Sequence, residues 1–205
     1  MSEPGQRKLV LASGSSSRRR LLEAAGLTFR VVPPDVDETA LKGTLLAQTP
    51  KPSAATVAET LARAKCEAVS GRIAGAVVIG ADQVLALDEE LFDKPPDVAA
   101  ARAQLLRLRG TTHHLLTAVA LAQEGRTVWQ CMETATLTLR NFSPMALDRY
   151  LAVAGDRVTR SVGAYEIEGP AIQLFERIEG DYFTILGLPL LPLLAELRAR
   201  GAIDV

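Results

Sequence analysis

Residues Ala76–Leu87 read AVVIGADQVLAL, an almost unbroken apolar run in which no hydrophobic alternation can be found. Such a run, rich in Val, Ile and Leu, is the pattern of a strand covered on both faces, as in a parallel sheet. One polar pair, Asp82-Gln83, interrupts it. A carboxylate at the end of VVIGA lies near the core, where an isolated charge is costly unless paired or bound to a metal. Strand-end aspartates in α/β folds line ligand crevices, and they equally serve to cap the next turn.

Working outward toward the N-terminus, TVAETLARAKCEAVSGR (residues 56–72) repeats alanine and leucine at helical spacing. A polar, proline-containing stretch from Leu41 to Ser53 reads as a connection, and Thr28 to Val32 as a short strand running into Pro33-Pro34. Lys8 to Ala12 is a further strand, followed by a helix from Ser15 to Ala25 that Gly26 stops. Toward the C-terminus, DVAAARAQLLRLRG is a helix with Asp97 as N-cap and Gly110 as stop. TTHHLLTAVALAQ and RTVWQCMETATLTLR form a hairpin about Glu124-Gly125. Helices in SPMALDRYLAVAG and LPLLPLLAELRARG complete the chain, separated by a glycine-containing segment. Strands alternating with helices, plus a hairpin, predict an α/β protein with a mixed sheet.

The first strand-to-helix junction, LASGSSSRRRLLEAAG (residues 11–26), crowds serines and arginines into one turn. Each helical residue advances about 100°, so Arg18 shares the stripe of Leu21, Leu22 and Ala25. Arg19 turns to the side and Arg20 faces nearly opposite. Arg18 therefore lies beside free backbone N–H groups at the positive end of the helix dipole, an arrangement suited to a phosphate. The same residues would equally cap a helix and solvate its outer face. The Walker pattern G-x-x-x-x-G-K-[ST] is absent, which excludes a P-loop. PPDVDE, residues 33–38, adds three carboxylates, a candidate oxygen-ligand site for a divalent cation, and Lys65 and Lys94 are candidate companion cations.

With 205 residues, 23 Lys and Arg against 24 Asp and Glu, and a net charge of -1, the chain has no global attraction to nucleic acid or an acidic membrane. The N-terminal MSEPGQRKLV lacks an apolar leader region, and no run approaches the ~20 residues of a membrane span. Cys66 and Cys131 lack metal-ligand spacing and read as reduced thiols in a cytoplasmic protein. His113 and His114, adjacent on a strand, point to opposite faces and cannot easily chelate one ion together. Trp129, Tyr165, Tyr182 and Phe183 are able to stack a base but serve packing equally well. The apolar last helix reads as core, or as part of a homodimer contact.

Taken in order, LAS-G-S-x-x-R, VDE, the helix bearing Ala64-Lys65, IGADQV, DKP, VGAYEIEG and ERIEGDYFTILGLPL resemble the Maf-like nucleoside triphosphate pyrophosphatases from Leu9 to Leu197. The resemblance implies an elongated mixed β-sheet with flanking helices, two lobes around a nucleotide cleft, in one domain spanning residues 1–205. It implies hydrolysis of a nucleoside triphosphate between the α and β phosphates, giving a monophosphate and pyrophosphate, with Mg²⁺ or Mn²⁺. Asp82 matches the family's catalytic aspartate, the base for the attacking water. Ser13 and Arg18 match its phosphate-binding motif, and Glu38, Lys65 and Lys94 its acidic and basic site residues. Glu38 and Asp82 are the implied metal contacts.

Specificity rests on departures. Ser16 and Ser17 stand where many members have proline and arginine. Gln83 and Glu168 stand where the dTTP/UTP-type branch has threonine and glutamine, and with LFERIEG they resemble the branch acting on 7-methyl-GTP. A carboxylate at Glu168 can accept hydrogen bonds from a guanine edge or pair with a methylated, positively charged ring. Ser17 fits neither branch, and Ser161-Val162 departs from the family's Lys-Ala or Cys-Ala. The competing readings are a dTTP/UTP-type pyrophosphatase, a phosphatase releasing orthophosphate, and a non-catalytic nucleotide-binding regulator of cell division.

Overall fold

The computed structural model describes residues 8–204; the N-terminal stretch read above as lacking a leader lies outside them, except for its last three residues. The fold is α/β, with seven strands in one open mixed sheet and seven α-helices among the described residues. The order is β1 (Lys8–Ala12), α1 (Ser16–Ala24), β2 (Arg30–Val31), α2 (Glu38–Leu46), α3 (Ala54–Ser70), β3 (Ala76–Leu87), β4 (Glu90–Phe92) and α4 (Val98–Leu108). There follow β5 (Thr112–Gln123), β6 (Arg126–Leu139), α5 (Pro144–Ala154), β7 (Phe175–Glu179), α6 (Tyr182–Ile185) and α7 (Leu190–Ala199). Sheet order is β2-β1-β3-β5-β6-β7, with β4 paired to β3. No helix among the described residues is long and apolar enough to cross a membrane.

The chain divides into two compact units. The first comprises residues up to Asp82, Thr117–Glu133 and Tyr182 onward. Here β1 runs parallel to both β2 and β3, so the chain leaves β1 to one side and returns on the other. That reversal is the switch point at which open α/β sheets form a crevice beyond the carboxyl ends of their strands. Leu9 and Leu11 of β1, Val77 and Ile79 of β3, Leu21 and Leu22 of α1, and Leu193 and Leu197 of α7 share one buried cluster. The final helix is therefore core, although Leu191 is exposed. Both faces of β3 are covered: only Gln83 of its twelve residues is even partly exposed. Gly80 is required by that burial. A Cβ there would lie 2.7 Å from Cys66 N and 2.8 Å from Cys66 Cβ, so glycine lets the α3 backbone settle directly on the strand.

The second unit comprises Gln83–Leu116 and Thr134–Asp181. β3 turns into β4 through Asp88, which has a left-handed φ of 53°. Asp97 caps α4 as expected, accepting from Ala100 N at 2.7 Å, and α4 packs on α5. Its interior is built from Leu105 and Leu108 of α4, Leu137 and Leu139 of β6, and Leu147 of α5, all fully buried.

Several expectations needed adjustment. The segment from Leu41 to Ser53 is not wholly a connection, because α2 occupies Glu38–Leu46. Asp37 caps it, accepting from Ala40 N at 2.9 Å, but only Leu45 is buried, so the helix has little apolar periodicity to announce it. The expected strand at Thr28 to Val32 shrinks to Arg30–Val31. Asp82 is interior to its strand, not at its end, since β3 continues to Leu87. The hairpin forms at Glu124-Gly125, both left-handed at φ 48° and 76°, as a two-residue turn of matching twist requires.

Candidate active site

The site grows from the parallel pairing of β1 with β3. Their register sets Ala12 opposite Gly80, which brings Ser13, one residue beyond β1, toward Asp82, two residues farther along β3. Between β1 and α1 the turn is organised by serines: Ser15 caps α1 by accepting from Arg18 N at 3.4 Å, and Ser13 Oγ accepts from Ser15 N at 3.2 Å. Arg18 turns inward on the stripe of Leu21 and Leu22, as its helical position predicts. Its Nη1 donates to Ser13 Oγ at 3.3 Å and its Nε to the Gly187 carbonyl at 2.7 Å. Arg19 instead pairs with Glu23 on the exposed face, and Arg20 reaches Ser17 Oγ at 3.5 Å.

Lys65 supplies the second half. It belongs to the buried stripe of α3, flanked by Leu61, Ala62, Cys66 and Val69, so the helix that rests on Gly80 carries an ammonium into the core. Its Nζ lies 2.7 Å from Asp82 Oδ1 and 2.7 Å from Glu38 Oε2. Lys65 and Asp82 are buried, whereas the Glu38 side chain is about half exposed, at 49%. Burial raises the Asp82 carboxyl above its ordinary value, while Lys65 and Arg18 oppose that rise. Burial likewise lowers the Arg18 guanidinium, with Asp82 and Glu38 working against it. The result is a set of cations and carboxylates, buried except for the half-exposed Glu38, in which each charge answers another. This is the arrangement that makes buried ionic groups tolerable.

Five of the residues singled out from sequence thus meet in the first unit: Ser13, Arg18, Glu38, Lys65 and Asp82. Ser17 is half-buried on α1, where it holds Arg20. Gln83, Lys94 and Glu168 belong to the second unit, with Lys94 and Glu168 exposed and Gln83 half-buried. Sequence reasoning missed Gly187, whose carbonyl is 169 residues from the arginine it anchors. The FTILGLPL motif was the available signal, although a backbone acceptor has no residue type to mark it.

The aromatic candidates separate. Tyr165 is not available to a base: it is buried, hydrogen-bonded to His113 Nε2 at 2.7 Å, and set edge-on to Phe175. Trp129 and Phe183 are partly buried against the core of the first unit, and Tyr182 is exposed. His113 and His114 do face opposite ways, one buried, the other exposed beside Thr136. Cys66 and Cys131 are free thiols, and burial pushes Cys66 up to about 11.

Comparison with known proteins identifies the family. The family described as "Maf-like protein" matches residues 8–200. A protein of Mesorhizobium japonicum named 7-methyl-GTP pyrophosphatase is 52% identical over 197 residues, covering 96% of this chain and 98% of its own. Proteins named nucleoside triphosphate pyrophosphatase from Paramagnetospirillum magneticum and Granulibacter bethesdensis are 54% and 50% identical. The first alignment covers 94% of this chain and 98% of the relative, the second 97% and 100%. With a match running through β1, the Arg18 turn, the Lys65 helix and the Asp82 strand, the chain belongs to the Maf-like protein family.

Proposed function

We propose that the protein is a nucleoside triphosphate pyrophosphatase that acts on modified nucleotides such as 7-methyl-GTP. The observation that carries the reading is Lys65 bridging Asp82 and Glu38 in a unit that also buries Arg18 against Ser13. The names of full-length relatives at about half identity support it.

In the reaction, a water oxygen bonds to the α phosphorus, the α–β phosphoanhydride bond breaks, and pyrophosphate leaves. Asp82 accepts the proton of that water; a base whose carboxyl is raised by burial holds a proton better at working pH, and such bases contribute ~10²–10⁴-fold. Arg18 and Lys65 face the charge that builds on the phosphate oxygens. Lys65 also orients Asp82, whose Oδ1 it holds. Glu38 and Asp82 are the residues that would hold a divalent cation. Among the described residues no group of three or more His, Cys, Asp or Glu side chains is placed to hold a metal. Two carboxylates are oxygen donors of the chemistry that Mg²⁺ or Mn²⁺ takes. Such an ion would supply charge neutralisation on the phosphates. Gln83 and Glu168 are the residues we assign to base selection, and the free thiols accord with a reducing cytoplasm.

The test incubates the protein and Asp82→Asn with Mg²⁺ or Mn²⁺ and 7-methyl-GTP, GTP, dTTP, UTP or CTP, separating products chromatographically. Monophosphate and pyrophosphate from the wild type, with 7-methyl-GTP fastest, are expected. Orthophosphate as the product would make the protein a phosphatase. A folded protein that binds nucleotide without turnover would favour the regulator.

A further inference from the structure

Thr184 is fully buried although it is polar, and the proposed chemistry gives it no part. It lies on α6, a single helical turn, where its hydroxyl donates to Glu133 Oε2 at 2.5 Å. Its carbonyl accepts from Thr117 Oγ1 at 3.0 Å and from Gly187 N at 3.0 Å. Leu188 N donates to the Phe183 carbonyl at 3.1 Å, closing the turn. Gly187 leaves the turn with a left-handed φ of 100°, and its carbonyl receives Arg18 Nε at 2.7 Å. Four hydrogen bonds therefore connect β6 and β5, through Thr184 and Gly187, to the buried guanidinium.

We propose that Thr184 is a positioning residue for Arg18. Among the described residues the Arg18 guanidinium hydrogen-bonds one backbone carbonyl and one serine hydroxyl. A guanidinium is a rigid fork, so displacement of either acceptor re-aims its donors. The helical turn that presents the carbonyl is too short to hold itself. Glu133 and Thr117 fix it instead, one by a charge-assisted bond to the Thr184 side chain and the other by a bond to its main chain. Packing alone would be met by valine, which shares threonine's β-branched shape and brings no polar atom into the interior. The proposal rests on the reading of Arg18 as a triphosphate-binding residue.

The experiment measures affinity for a non-hydrolysable α,β-methylene nucleoside triphosphate, together with KM, kcat and the thermal transition, in Thr184→Val, Thr184→Ser and Arg18→Gln. Thr184→Val should weaken analogue binding and raise KM by about tenfold, with a smaller change in kcat. Thr184→Ser, which keeps the hydroxyl, should restore both to within about twofold. Wild-type affinity in Thr184→Val, whatever its thermal transition, alongside lost affinity in Arg18→Gln would overturn the proposal and leave the anion site standing. Wild-type affinity in Arg18→Gln would overturn the anion site and the proposal with it. Should Thr184→Val not fold, Glu133→Ala, on a partly exposed strand position, is expected to show the same rise in KM.

Discussion

Each unit buries a polar pair at 2.7 Å, and burial pushes both toward the neutral form, but only the first is opposed by neighbouring charges of opposite sign. In the first unit Lys65 meets Asp82 as ammonium and carboxylate, with Glu38 and Arg18 adding charges of both signs. In the second, His113 meets Tyr165 as two neutral groups. Burial lowers His113 to about 4, and raises Tyr165, so neither ionises near neutral pH. His113 Nδ1 has no hydrogen-bond partner among the described residues, which is why protonation there would strand an N–H in the core. Charge inside a protein is expensive, and buried ion pairs are commonly no more stabilising than apolar residues of the same volume. A neutral pair is what a structural role needs. A charged one, maintained against desolvation, points to chemistry.

The widest separation between the two pairs should appear in catalysis. Asp82→Asn should lower kcat by ~10²–10⁴-fold while leaving nucleotide affinity measurable, because it removes the base we propose. Tyr165→Phe should leave kcat and KM at wild-type values. Equal loss of nucleotide binding in Asp82→Asn would reassign that residue to holding the site together.

Stability supplies the next contrast. Lys65→Met removes one member of a buried pair and strands Asp82, a loss of about 3 kcal/mol or more by urea unfolding. Lys65→Met/Asp82→Asn removes both charges and should recover most of it, giving a folded protein without activity. A double variant as unstable as Lys65→Met would mean that the ion pair is a structural necessity and would erase the contrast with His113.

These pairs also mark how far the sequence could be read. Arg18 was legible because one helix's periodicity placed it on the stripe of Leu21 and Leu22, and His113 because strand alternation set it opposite His114. Asp82 was conspicuous in an apolar run. The inward position of Lys65 was available from its spacing to Leu61, Ala62 and Cys66, although its role came from resemblance. What escaped were facts of distant chain meeting chain. Gly187 reaches Arg18 through a carbonyl, Glu133 reaches Thr184 from another strand, and Gly80 is glycine because α3 lies on it. The short α2 escaped because, with Leu45 alone buried, it is held by its Asp37 cap more than by an apolar face.

A pH titration of stability tests the neutral pair. A histidine held at about 4 when folded and at 6.5 when unfolded binds its proton first in the unfolded state. Its contribution is fully present above pH 6.5 and is lost as pH falls toward 4, amounting to about 3 kcal/mol. Because carboxylates titrate in the same acid range, the measurable quantity is the wild-type fall in unfolding free energy between pH 7.5 and 4.5 minus that of His113→Gln. A difference near zero would mean that His113 takes up its proton without disturbing the fold.

The smallest effect is the most specific to the second unit. Tyr165→Phe leaves the ring, its edge-on contact with Phe175 and its place above Gly163, where a Cβ would collide with it, but deletes the hydroxyl that bonds His113. His113 would then have unsatisfied nitrogen atoms on both sides of a buried ring, a loss of ~1–2 kcal/mol. His113→Gln alone also breaks the bond, so the double variant should fall short of the sum of the singles by roughly 1 kcal/mol. Additive losses would show that the 2.7 Å contact contributes nothing of its own, and the Tyr165 hydroxyl would need another reason to be buried.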